Sequence, residues 1–135
     1  MNKEKENDEF FDPIEMIRKV IDKILNVAFR SDIRDLAEIY SKDIDNIILK
    51  SEKDKLLKYV GGEFIVTYVT DTIFSIKIAL YYKNKDDKWV EESYVTSRDM
   101  KLLKEEAVNE LKQNKKIIYE IEYPKVVNIS FRGKD

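Results

Sequence analysis

A chain of 135 residues with 43% hydrophobic and 39% charged residues is long enough for one domain with a core of its own. Its formal charge of −2 argues against a protein that coats nucleic acid through bulk charge, while leaving room for a local basic patch. With no Cys and no His, it has no disulfides, no structural zinc of the usual kind and no nucleophile–base pair built on either residue.

No apolar run approaches the length that spans a bilayer, and MNKEKENDEF has no signal-peptide pattern. The expected location is therefore the cytoplasm. The Lys-, Glu- and Ile-rich usage is that of thermophiles, although Asn is common too.

Charge is segregated along the chain. Residues 1–12 set Glu4, Glu6, Asp8, Glu9 and Asp12 against Lys3 and Lys5, and residues 1–11 read as a disordered acidic arm. Residues 12–131 read as a single α+β domain. Residues 132–135 form a basic tail with Arg132 and Lys134.

Asp12-Pro13-Ile14-Glu15 predicts a helix start: Asp12 caps, Pro13 suits the first helical position and Glu15 completes a capping box. Ile14, Ile17, Ile21, Ile24 and Ala28 follow at helical spacing, widened by Val20 and Leu25, so the helix should run to about Phe29. This stripe buries either against a sheet or against a second copy of itself. Ser31 or Asp32 caps a second helix carrying Ile33, Leu36, Ala37, Tyr40, Ile44, Ile47 and Ile48, with room for a break near Ser41. Ser51-Glu52-Lys53-Asp54 looks like a further cap, opening a short helix that Gly61-Gly62 would stop.

Residues 63–98 carry three β-branched and aromatic runs, EFIVTYVT, IFSIKIALYYK and KWVEESYVTSR, joined by Asp71-Thr72 and by Asn84-Lys85-Asp86-Asp87. This is the pattern of an antiparallel meander. In the middle run Phe74, Ile76, Ile78, Leu80 and Tyr82 share one face, while Ser75, Lys77, Ala79 and Tyr81 share the other. Thr96, Ser97 or Asp99 begins a helix with Met100, Leu103, Ala107, Val108 and Leu111 on its apolar side, ended by Lys112-Gln113-Asn114-Lys115. KIIYEIEY alternates again, Pro124 ends it or marks an edge, and 126–131 reads as a fifth strand. The expected fold is thus α+β: two or three N-terminal helices packed on a curved antiparallel sheet of four or five strands, with one crossing helix.

There is no Gly-rich phosphate loop. Asp86-Asp87 and Glu91-Glu92 have the chemistry to hold Mg²⁺ for a nuclease, but turn propensity already accounts for the first pair. A sharper cluster is Tyr81-Tyr82-Lys83-Asn84-Lys85-Asp86-Asp87-Lys88-Trp89, where rings interleave with lysines. Rings stack on bases and ammonium groups follow phosphates, which suits single-stranded nucleic acid. The plainer reading puts Tyr82 and Trp89 in the core and leaves the lysines to keep the hairpin soluble. The candidate nucleic-acid-binding residues are Lys77, Tyr81, Lys83, Lys85, Lys88, Trp89, Arg132 and Lys134.

In its size, its Cys-free Lys/Ile/Tyr-rich text, its helices before the 63–98 meander and its ending KIIYEIEYPKVVNISFRGKD, the chain resembles a viral family. These are the small single-stranded DNA-binding proteins of archaeal rod-shaped viruses (rudiviruses), which do not use an OB-fold. The resemblance implies a homodimer with a positively charged groove for single-stranded DNA, acting in viral genome replication or processing. The expected function is sequence-tolerant single-stranded DNA binding by a homodimer, with no catalysis, metal, small-molecule cofactor or membrane contact. A protein-interaction module that binds a host protein is the alternative, and a metal-dependent nuclease the third. The homodimer expectation also follows from apolar helix faces in surplus over what one small sheet face covers.

Overall fold

The computed structural model describes residues 11–27, 38, 40–122 and 125–131, with Val27 and the last segment described by backbone alone. Helix α1 spans Pro13–Val27. Its cap is the expected one, since Asp12 Oδ1 accepts the backbone N–H of Ile14 at 3.1 Å and of Glu15 at 3.4 Å. The Glu15 carboxylate, expected to close a capping box, instead bonds Arg18, which also pairs with Asp22. Ile17, Val20, Ile21, Ile24 and Leu25 are all buried in the core that the helices form with the sheet. The stripe is therefore a core face and supplies no dimer seam.

Helix α2 spans Ser41–Lys55 and buries Ile44, Ile47 and Ile48. The expected start of this helix at Ser31 or Asp32, the end of α1 at Phe29, the acidic arm up to residue 10, Tyr123, Pro124 and the basic tail all lie outside the described residues. The short third helix expected after Ser51 does not form. Ser51 sits mid-helix and donates its hydroxyl to Glu92 Oε1 at 2.8 Å, while Glu52 Oε2 accepts the N–H of Tyr59 at 3.0 Å. Ser51 bonds a residue on β3 and Glu52 the strand that follows, so neither serves as a local helix cap. The helix stops at Leu56, whose φ is 56°, and the chain turns directly into a strand.

Strands β1 (Lys58–Tyr68), β2 (Ile73–Lys83), β3 (Trp89–Asp99), β4 (Lys116–Glu122) and β5 (Lys125–Phe131) form one antiparallel sheet in the order β3-β2-β1-β4-β5. The meander is as expected. Phe74, Ile76, Ile78, Leu80 and Tyr82 are buried, and in register with them on the same face lie Phe64 and Val66 of β1 and Ile117, Tyr119 and Ile121 of β4. After β3 the chain makes a 3₁₀ turn at Met100–Leu102, capped by Asp99, and only then helix α3, Glu105–Asn114. The expected single crossing helix is thus two pieces, split at Leu103 and Lys104. Both residues hold extended backbone there. The two pieces still bury Met100, Leu103, Ala107 and Leu111, and α3 packs against β1 and β4. Among the described residues all helices lie on one side of the sheet and none covers the other.

Gly61 and Gly62 lie inside β1, not at a helix end. A Cβ on Gly62 would come within 2.7 Å of the Tyr59 hydroxyl and 2.8 Å of the Ala79 carbonyl, whereas one on Gly61 would meet nothing within 4 Å. Close backbone approach therefore demands Gly62 alone. Gly62→Ala should destabilise the protein by about 1–3 kcal/mol through overpacking, and Gly61→Ala should be neutral or stabilise it by up to about 1 kcal/mol. Urea unfolding of the two variants side by side checks the contrast. The same measurement on Asp12→Ala should register a loss of about 0.5–2 kcal/mol for the α1 cap.

Candidate functional site

Strand pairing converts the sequence into rows across the open face. At the β2–β3 hairpin end, Lys58 stands opposite Lys83, and Lys83 opposite Trp89. One pleat further in lie Gly61, Tyr81 and Glu91; then Glu120, Glu63, Ala79 and Ser93; then Ile118, Ile65, Lys77 and Val95. Lys77, Tyr81, Lys83 and Trp89, all expected in the site, therefore share the uncovered face. The plainer reading holds for Tyr82, which is fully buried, but not for Trp89, which is 62% exposed.

The hairpin is built by Asn84. Its side-chain oxygen accepts the N–H of Asp86 at 2.9 Å and of Lys88 at 3.0 Å, and its carbonyl accepts the N–H of Asp87. Asp87 closes the turn at φ 63°, a conformation that Asp tolerates better than most residues. Lys85 and Lys88 are exposed in this turn, with no ion pair among the described residues. Lys83 lies with Nζ 4.7 Å from the centre of the Trp89 ring and 3.5 Å from the Asp87 carboxylate.

Sequence reasoning missed Lys58, which it placed in a helix. Once β1 is known to start there, Lys58 becomes the cross-strand neighbour of Lys83. Like charges directly opposite each other on a sheet repel, and a bound anion would relieve that repulsion. The only sequence signal was the aromatic and β-branched text resuming at Tyr59-Val60.

The middle of the open face has the opposite character. Tyr81 donates its hydroxyl to Glu63 Oε2 at 3.3 Å, and Lys77 pairs with Glu91 at 3.6 Å. Partial burial, then the nearby Glu63 and Glu91 carboxylates, raise the Tyr81 pKa above the ordinary phenol value. Glu63, Glu120, Glu122 and Tyr81 rim a shallow depression of about 300 Å³ over Gly61 and Gly62. Lys77 and Tyr81 thus stand among carboxylates and are not part of the basic row. Arg132 and Lys134 lie outside the described residues.

The carboxylate pairs do not combine into a metal centre. Glu91 and Glu92 are adjacent on a strand and point to opposite faces, Glu91 outward and Glu92 into the core at 4% exposure. Among the described residues no group of three or more acidic, His or Cys side chains is placed to hold a metal ion. Likewise, no described helix is long and apolar enough to cross a membrane. A second hollow, of about 420 Å³ between α1 and α2, mixes Lys19, Lys23 and Lys50 with Glu15 and Asp43. There Lys23 pairs with Asp43 at 3.5 Å, and Lys50 lies over the Phe11 ring.

Comparison with protein-family models, with curated proteins and with solved structures finds no match to this chain.

Burial raises the Glu92 pKa above the ordinary 4.5, against the opposing pull of the Ser51 hydrogen bond, the nearby Tyr82 hydroxyl and the Lys55 charge. A raised folded-state value means that the native state binds more protons than the unfolded state just above pH 4.5. This contribution to stability is full below pH 4.5 and is lost as pH rises through the folded-state value. Glu92→Gln, which keeps an acceptor for Ser51, should melt higher than the parent at pH 7, the gap closing as the pH falls through the folded-state value to 4.5. Thermal melts of both proteins across that range check the sign.

Proposed function

We propose that this protein binds single-stranded nucleic acid, DNA in the first instance, without sequence preference and without catalysis. The contact lies at the hairpin end of the open sheet face. One observation carries the reading: Lys58, Lys83 and the exposed Trp89 ring form a row across three strands, flanked by the exposed Lys85 and Lys88. Trp89 is the stacking platform, typically worth about 1–3 kcal/mol per base, and the four lysines track the phosphates. The acidic zone at Glu63, Glu91, Glu120 and Glu122 keeps the strand at this end, so Lys77 and Tyr81 add little.

A second reading, a protein partner, is supported by that acidic zone together with Ile65 and the 56%-exposed Val95 beside it. Such a mixed surface suits a basic and apolar partner better than a polyanion.

Trp89 is the chain's one tryptophan, so its emission reports directly on stacking. Titration with an oligothymidine should quench it, and the slope of log affinity against log salt should be roughly −0.7 per phosphate neutralised, about −2 to −3 for four lysines. Lys58→Ala combined with Lys83→Ala should flatten that slope by about one to one and a half units, with the far-UV circular dichroism unchanged. No quenching at low salt, or an unchanged slope in the double variant, would remove the site and leave the protein-partner reading.

A further inference from the structure

We propose that the outer edge of β3 is the interface for a second copy of this chain, pairing antiparallel to extend the sheet across a two-fold axis. Nothing among the described residues pairs with that edge, since β3 ends the strand order. Its eleven residues pair with β2 from end to end without a bulge and contain no Pro, Gly or Lys. Bulges, Pro and edge Lys are among the devices by which edge strands avoid adding another strand. Of the others, β3 carries the charges of Glu91, Arg98 and Asp99 and the inward Glu92, which the pairing register has to accommodate.

The phase of the ladder determines which groups face outward. At the two ends of the hairpin, Asn84 N–H bonds the Lys88 carbonyl and Met100 N–H bonds the Thr72 carbonyl. Bonded and non-bonded pairs alternate in an antiparallel ladder, so between these two points Val90, Glu92, Tyr94, Thr96 and Arg98 bond inward to β2. Trp89, Glu91, Ser93, Val95, Ser97 and Asp99 therefore direct their backbone N–H and C=O away from the sheet.

Self-pairing aligns outward residues with outward residues, so only registers two residues apart compete. Full overlap of the strand sets Trp89 opposite Asp99, Glu91 opposite Ser97 and Ser93 opposite Val95 of the partner subunit. On the core face it sets Glu92 opposite Thr96 and Val90 opposite Arg98. No like charges meet. A slip one way sets Glu91 opposite Asp99, and a slip the other way sets Lys88 opposite Arg98, each pair repelling twice by symmetry. Full overlap is therefore the register that pairs the most residues of the strand with no like-charge pair.

This proposal is independent of nucleic-acid binding and is tested without any nucleic acid present. Light scattering across the micromolar range should report twice the 16.1 kDa chain mass. Val95→Pro removes an outward N–H that β2 does not use, and should give a monomer with unchanged far-UV circular dichroism. Ser97 is exposed and faces Glu91 of the partner subunit, so Ser97→Lys should tighten the dimer and Ser97→Glu should loosen it, each by roughly two- to tenfold. The Ser97 pair decides the matter should Val95→Pro fail to fold. A parent that stays monomeric, a folded Val95→Pro that stays dimeric, or Ser97 variants that shift together would each overturn the assignment.

Discussion

The extra residue at Val60 governs both faces of the sheet. A one-residue slip in a strand exchanges its faces, and between Tyr59 and Gly61 the pairing of β1 with β2 shifts by one. Tyr59 is thereby returned to the core side opposite Tyr82, and Lys58 to the open side opposite Lys83. Without that step the tyrosine would face solvent and the lysine the core. Once inside, the Tyr59 hydroxyl passes over Gly62 and donates to the Ile121 carbonyl at 2.6 Å, and its ring meets Tyr82 edge-on at 5.6 Å. Burial, with Asp45 and Glu122 nearby, raises the Tyr59 pKa well above the usual phenol range, so the group stays protonated as a donor. One backbone irregularity thus ties β1 to β4 and completes the basic row.

The helices sit on one face because one face alone is continuously apolar. Phe64, Ile76, Ile78, Leu80, Tyr82, Ile117 and Tyr119 form an unbroken surface that α1, α2 and the α3 region cover. The opposite face alternates between lysine, glutamate and hydroxyl side chains, with Ala79 and Ile118 as its buried members. Its charges sort by position. Cations gather at the hairpin end and carboxylates around the glycines, which is why an overall charge of −2 coexists with a local basic row. That polarity, not net charge, decides where a polyanion finds attraction.

Glu91 and Glu92 illustrate how neighbouring residues take opposite roles. Glu91 faces the open side and neutralises Lys77, whereas Glu92 crosses the core to Ser51 and fixes α2 to β3. The buried carboxylate is costly to ionise, yet its hydrogen bond fixes how the helix layer sits on the meander. The alternation that splits this pair also separates the inward-bonding residues of β3 from the outward ones. Its edge chemistry therefore follows from the hairpin turn that Asn84 sets.

Local patterns in the sequence were enough to specify the cap at Asp12, the apolar stripe of α1, the meander and its buried alternation, because each is written within a few consecutive residues. They were also enough to put Lys77 and Tyr81 on one face of β2, since strand periodicity is strict, but the pairing across the hairpin decided that Lys83 and Trp89 join them there. Three further things were decided by the tertiary structure. Ser51 and Glu52 look like a local cap, but their partners are Glu92 and Tyr59. Gly61-Gly62 looks like a helix stop, but Gly62 is where the Tyr59 hydroxyl and the Ala79 carbonyl crowd β1. Lys58 gains its meaning only from Lys83, across a strand pair whose register is set by a bulge. In each case a partner that decides the outcome lies across the fold, Glu92 for Ser51, Ala79 for Gly62 and Lys83 for Lys58, and spacing along a sequence carries no record of which distant residues will meet.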